Sequence, residues 1–162
     1  MEKLKRYPKL FALHSNPQQL YAYDKLDLIS KKDFLNKLHA LVDIAGRVDW
    51  LQQDLAKKMR VDSDIVYDRF NAIEEIISDA QDIIDELSGY SIDCDYSEIN
   101  VKAYNELSLT KKLELLINTC QNLDFLQQKL SDDMGVDGEE CLDRHIMIDA
   151  LIDDAQEVLD NG

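Results

Sequence analysis

The chain has 162 residues, 45% of them apolar, with five Gly and two Pro; that is enough for one domain or two small ones and disfavours all-β and low-complexity classes. A formal net charge of −15 argues against nucleic acid or an anionic membrane as a direct ligand, because neutralising phosphates takes Lys and Arg. Cys94, Cys120 and Cys141 cannot all pair within one chain and match no zinc spacing, so reduced thiols are expected.

The chain opens with a basic N-terminal segment, residues 1–15. Met1 to Lys9 is polar and lacks the apolar core of a signal peptide. No apolar run approaches the roughly 18 residues needed to span a bilayer, so a cytoplasmic location is expected. The charge is segregated. Residues 1–32 carry seven Lys/Arg against three Asp/Glu, residues 33–87 carry six against thirteen, and residues 108–162 carry four against thirteen.

A first repeat is assigned to residues 16–87. Asn16 can cap a short helix with Pro17 at its first position, where the missing N–H costs nothing. A long helix is predicted from a Ser30 cap to about Met59, because Phe34, Leu38, Leu41, Ala45, Val48, Leu55 and Met59 recur at helical spacings. After Arg60, Val61 can staple onto Val66, and Asp62 can cap a second long helix that buries Val66, Phe70, Ile73, Ile77, Ala80, Ile84 and Leu87 and stops at Gly89. So short a turn makes the two long helices antiparallel.

A linker, residues 88–96, leads to a second repeat, residues 97–162. Sliding the chain by 75 residues aligns 33–87 with 108–162 without a gap, and 19 of the 55 pairs are identical. Val48-Asp49-Trp50-Leu51-Gln52-Gln53 meets Leu123-Asp124-Phe125-Leu126-Gln127-Gln128, and Ala22-Tyr23 matches Ala103-Tyr104 upstream. Ser97 caps the second short helix, through Leu107, and Thr110 the following long one. The turn recurs as Val136, Asp137 and Cys141. The fold class expected is therefore all-α: a tandem duplication of a three-helix unit, in which two hairpins bury their apolar faces against each other as one four-long-helix bundle with two short helices.

Several features could carry function. Asp64, Asp68, Glu75, Asp79, Asp82 and Glu86 fall within about 60° on a helical wheel, opposite the core face. Glu139, Asp143, Asp154 and Glu157 form the counterpart in repeat two. Like charges one turn apart, and acids near a helix C-terminus, cost about 1–2 kcal/mol per helix. This face reads either as a solubilising surface or as a docking surface for a basic partner, in the sharpest version a nucleic-acid mimic; Lys3, Lys5, Arg6 and Lys9 could also fold back onto it. Trp50 and its twin Phe125 point away from the core. They are either covered by a short helix (Leu20, Tyr21, Tyr23) or the N-terminal segment (Tyr7, Phe11), or they anchor another protein. Gln52 and Gln127 sit in the core stripe of their helices, with Gln81 and Gln156 bordering it, and are expected to pair across the two-fold-like interface. Asp68-Arg69 and Asp143-Arg144 read as structural ion pairs. His145 replaces core residue Phe70 and reads as a boundary or core histidine.

Enzyme signatures are weak. No acid precedes His39 or His145 by three residues, as di-iron bundles require. Asp79-x-x-Asp82, Asp82-x-x-Asp85 and Asp154-x-x-Glu157 have the spacing of Mg²⁺-binding pairs in all-α nucleotide pyrophosphohydrolases. They lie, however, on the expected solvent side. No cofactor or metal is indicated. The expected function is a non-enzymatic acidic interaction module that inhibits or masks a basic, nucleic-acid-handling protein by occupancy, of the anti-defence or immunity-protein type. The alternatives are a structural adaptor bundle and the Mg²⁺-dependent hydrolase.

Overall fold

The computed structural model describes residues 31–88 and 101–161. They form five helices: α1 (Lys31–Met59), α2 (Ser63–Ser88), α3 (Val101–Asn105), α4 (Leu109–Met134) and α5 (Gly138–Asn161). The four long helices pack as two antiparallel hairpins, α1 on α2 and α4 on α5, joined chiefly through α1 and α4. This is the all-α bundle of a duplicated hairpin. No described helix is long and apolar enough to cross a membrane. The first short helix, with Asn16 and Pro17, the caps at Ser30 and Ser97, the stop at Gly89, the side chain of Leu87 and the basic N-terminal segment lie outside what is described.

The 75-residue offset survives into three dimensions. Leu38, Leu41, Ala45, Val48, Leu51 and Leu55 of α1 are buried, and so are their counterparts Leu113, Leu116, Cys120, Leu123, Leu126 and Leu130 of α4. Ile73, Ile76 and Ala80 match buried Ile148, Leu151 and Ala155. Ile76 joins the core although the sequence stripe omitted it, while Val66, Phe70 and Ile77 are only half-buried. A helix packed between two neighbours needs an apolar arc wider than one seam, and Ile76 widens it on one side.

Both hairpin turns use the same hydrogen bonds. Val61 N–H donates to the Ala56 carbonyl at 2.9 Å, and Val136 N–H to the Ser131 carbonyl at 2.9 Å. This 6→1 closure needs a left-handed residue just before the donor. Gly135 fills that place at φ 74°, and Arg60 at φ 59°. Asp137 then caps α5, its carboxylate accepting from Glu140 N–H at 2.8 Å. The cap of α4 is Ser108, whose hydroxyl accepts from Lys111 N–H at 3.2 Å, not Thr110 as the sequence suggested. Leu107 packs against the core directly before Ser108, which fixes where the chain can turn into the helix. The described part of the short helix, Val101–Asn105, ends two residues before the expected Leu107.

Candidate functional site

α2 and α5 run antiparallel and meet less closely than α1 and α4. Arginine spans the gap between them. Arg69 near the start of α2 reaches Asp154 on α5 at 2.8 Å, and Arg144 near the start of α5 reaches Asp79 on α2 at 2.6 Å. Positions 69 and 144, and 79 and 154, are equivalent under the repeat, so the two bridges are copies of one contact. Both arginines are buried, at 8% and 5% exposure, and Arg144 also donates to Glu140 at 3.2 Å. Each of these helices contains a single Lys or Arg, and that residue turns inward to the other hairpin.

This corrects two sequence expectations. The arginines do pair, but with Asp154 and Asp79 across the interface rather than with their neighbours Asp68 and Asp143, which are exposed. Residues adjacent in a helix point about 100° apart, so Asp68 and Arg69 cannot share a face. Asp79 and Asp154 therefore belong to the seam between the hairpins and are only partly exposed. The remaining carboxylates stand outward: Asp64, Asp68, Glu75, Asp82 and Glu86 on α2, and Glu139, Asp143 and Glu157 on α5, all exposed. Asp68 lies about 20° round its helix from Asp79, and Asp143 likewise from Asp154, so the two acidic rows border the same seam. Neither helix has a basic residue in its last turn to offset them. Exposed Tyr67, Leu142 and Ile146, at 62%, 54% and 56%, interrupt these rows.

Trp50 is covered. Tyr104 of α3 stands edge-on to it, with ring centroids 5.0 Å apart, and donates its hydroxyl to Asp54 at 2.7 Å. Lys112 sits 4.9 Å from the Tyr104 ring centroid. Burial and the Asp54 carboxylate push the phenol's pKa up, so it stays a donor. The cover is thus a short helix, but that of the other repeat. Phe125 is 38% exposed, with Lys129 5.7 Å from its ring centroid.

The glutamines do not pair across the two-fold. Gln52 Nε2 donates to Asp49 at 3.1 Å and to the Val66 carbonyl of α2 at 3.1 Å. Gln127 does the same with Asp124 at 3.1 Å and the Cys141 carbonyl at 3.2 Å. Each amide ties one helix of a hairpin to the other, because the facing backbone is nearer than the symmetry mate. Gln53 and Gln128 close on the same aspartates, at 2.8 and 2.9 Å. Gln81 and Gln156 donate to Asp85 and Asp160 one turn on, each at 3.0 Å. His145 is a boundary residue. Its Nδ1 lies 2.8 Å from Asp124 Oδ2, and that carboxylate raises the imidazole's pKa against the opposing effect of burial.

The acid pairs of the hydrolase pattern share the outer edge of α2 and α5, with Asp79 and Asp154 already engaged by arginine. Among the described residues no group of three His, Cys, Asp or Glu is placed to hold a metal ion. The sequence missed Tyr104 and Asp54 as a pair, and the exposed apolar residues on the acidic rows. The first had no signal at separation 50 in the chain; the second was visible as Tyr67, Leu142 and Ile146 on the polar side of the wheel. The fold and face define an all-α bundle of duplicated hairpins with an acidic outer surface. Compared with models of protein families, with curated proteins and with solved structures, the chain matches none of them.

Proposed function

We propose that the chain is a non-enzymatic interaction module that masks a basic, nucleic-acid-handling protein by occupying its phosphate-gripping surface. One observation carries this reading: α2 and α5 each direct their single Arg inward to the seam, which leaves the outer carboxylate rows without a cation from either helix. Carboxylates repeated at one-turn spacing along two helices set up a negative field that steers a cationic surface and complements it. Tyr67, Leu142 and Ile146 add apolar points within the charged rows, as protein interfaces combine them. That mixture favours a polypeptide partner, such as a nuclease or a defence protein held inactive.

The test is capture of partners from the native host at low and high salt, followed by charge reversal. Asp68→Lys with Asp82→Lys changes two exposed carboxylates and leaves both bridges intact. We expect a salt-labile complex, weakened about tenfold or more by the double change, and loss of the partner's nucleic-acid binding while the complex persists. Unchanged affinity in the reversed chain removes the masking model. The exposed apolar residues favour a second reading, an adaptor surface. In that case Tyr67→Ala with Leu142→Ala weakens a salt-resistant complex more than charge reversal does.

A further inference from the structure

The two seam arginines are equivalent under the repeat but are not equally satisfied. Arg144 Nη2 donates to two carboxylates, Asp79 across the seam at 2.6 Å and Glu140 on its own helix at 3.2 Å. Arg69 Nη2 has one carboxylate among the described residues, Asp154 at 2.8 Å. The position that matches Glu140 is Ile65, one turn before Arg69, and an isoleucine has no oxygen to offer. Arg69 is 8% exposed, and its buried Nη1 finds no hydrogen-bond partner. An unmade bond at a buried guanidinium is a standing cost that an oxygen from outside the bundle can reduce.

The place that the Glu140 side chain takes in repeat two is open in repeat one. A cleft of about 560 Å³ lies beside Arg69, with Ile65, Val61 and Val158 among its apolar walls. Lys58 and Arg60 stand at its rim, exposed and paired with no carboxylate among the described residues. Asp154 and Glu157 also line it, so three cations face two carboxylates. At the matching positions of repeat two, Arg144 alone faces Asp79, Asp82, Asp133 and Glu140. In a chain of net charge −15, the cleft is a local reversal of sign that one negative charge would neutralise.

We propose that this cleft binds a small monocarboxylic acid, whose carboxylate takes on Arg69 the place that the Glu140 carboxylate takes on Arg144. One ligand oxygen accepts from Arg69 Nη2, while Asp154 keeps its own bond, as Asp79 does beside Glu140. Lys58 and Arg60 attract the charge from the rim, and the alkyl part of the ligand lies on Ile65 and Val158. Asp154 and Glu157 repel a second negative charge, so the cleft favours a monoanion over phosphate. The assignment rests on Arg69 and its cleft and needs no protein partner, so it stands or falls separately from the masking function.

Propionate, which is the Glu140 side chain cut at Cβ, is the probe. It is titrated at constant ionic strength into the full chain labelled at Ile, Leu and Val methyl groups. We expect saturable shifts of the Val61 and Val158 methyls with a Kd in the millimolar range, the strength open to so small a ligand. Val136, the match of Val61, stays still. Ile65→Glu fills the cleft from within and weakens propionate binding about tenfold or more, while Ile65→Leu retains it. Inorganic phosphate moves the same methyls with at least about threefold weaker affinity. Absence of saturable shifts at Val61 and Val158 overturns the proposal. So does propionate binding that survives Ile65→Glu, or phosphate binding as tight as that of propionate.

Discussion

The two hairpins share their core positions and turns but satisfy several equivalent sites with different chemistry. In α1, Asp43 and Arg47 form a buried pair at 2.7 Å, and burial pushes the Asp43 carboxyl up to about 6 despite the guanidinium beside it. In α4 the same positions are Asn118 and Asn122, and the Asn122 side-chain amide donates to the Asn118 backbone carbonyl at 2.9 Å. One hairpin closes its turn with a left-handed Gly135, the other with Arg60. Phe70 in one is His145 in the other. What is alike in both is what holds helices together: the apolar stripes, the Gln-to-carbonyl ties and the Arg–Asp seam. Contacts between helices set the crossing geometry, so both halves need the same ones. The Asp43–Arg47 and Asn122–Asn118 hydrogen bonds each lie within one helix, so these positions can diverge without changing which helices touch.

The strongest way to break this comparison is to cut equivalent core residues. Leu51→Ala and Leu126→Ala each remove a side chain that is fully buried. Each is expected to cost about 3 kcal/mol in chemical denaturation, with the two values within about 1 kcal/mol of each other. A large inequality would show that the halves are not packed alike. The seam comes next. Arg69→Ala and Arg144→Ala should each cost about 1–2 kcal/mol, discounted from a fully buried pair because Asp154 and Asp79 are 32% and 40% exposed and can regain water. Double-mutant cycles with Asp154→Ala and Asp79→Ala should return coupling in each case, and none between Arg69 and Asp68.

The turns offer a smaller contrast of opposite sign. Arg60→Gly is expected to stabilise by about 0.5–1 kcal/mol, and Gly135→Ala to destabilise by about 1 kcal/mol. Nothing lies within 4 Å of a methyl built on Gly135, so the second effect is backbone strain alone. The smallest difference is in pH response. The His145 pKa is raised by Asp124, so the pair's stabilisation is complete below the unfolded imidazole value near 6.5 and fades as pH rises through the folded value. Titration by nuclear magnetic resonance should place His145 above its ordinary value, and Asp124→Asn should bring it down. Asp43 belongs to the other hairpin. Its raised carboxyl value favours the folded state most below about pH 3.8 and loses that contribution by about pH 6, and Asp43→Asn removes this response alone.

The bundle, the duplication and most of the core could be read from the chain because they depend on local periodicity. A 3.6-residue pattern places Leu38, Leu41, Ala45 and Val48 on one side of a helix whatever it packs against, and the repeat of that pattern 75 residues on requires a second, similar hairpin. The outward direction of Asp64, Asp68, Asp82 and Glu86 followed from the same arithmetic. Which Asp each Arg takes, which carbonyl each Gln reaches and which short helix covers Trp50 were decided only by the tertiary structure. Those contacts join residues 14 to 85 positions apart, across gaps fixed by how the helices and the two hairpins cross. Asp79 and Asp82 look alike on a helical wheel, and only the approach of Arg144 from the other repeat makes one a seam residue and leaves the other facing solvent.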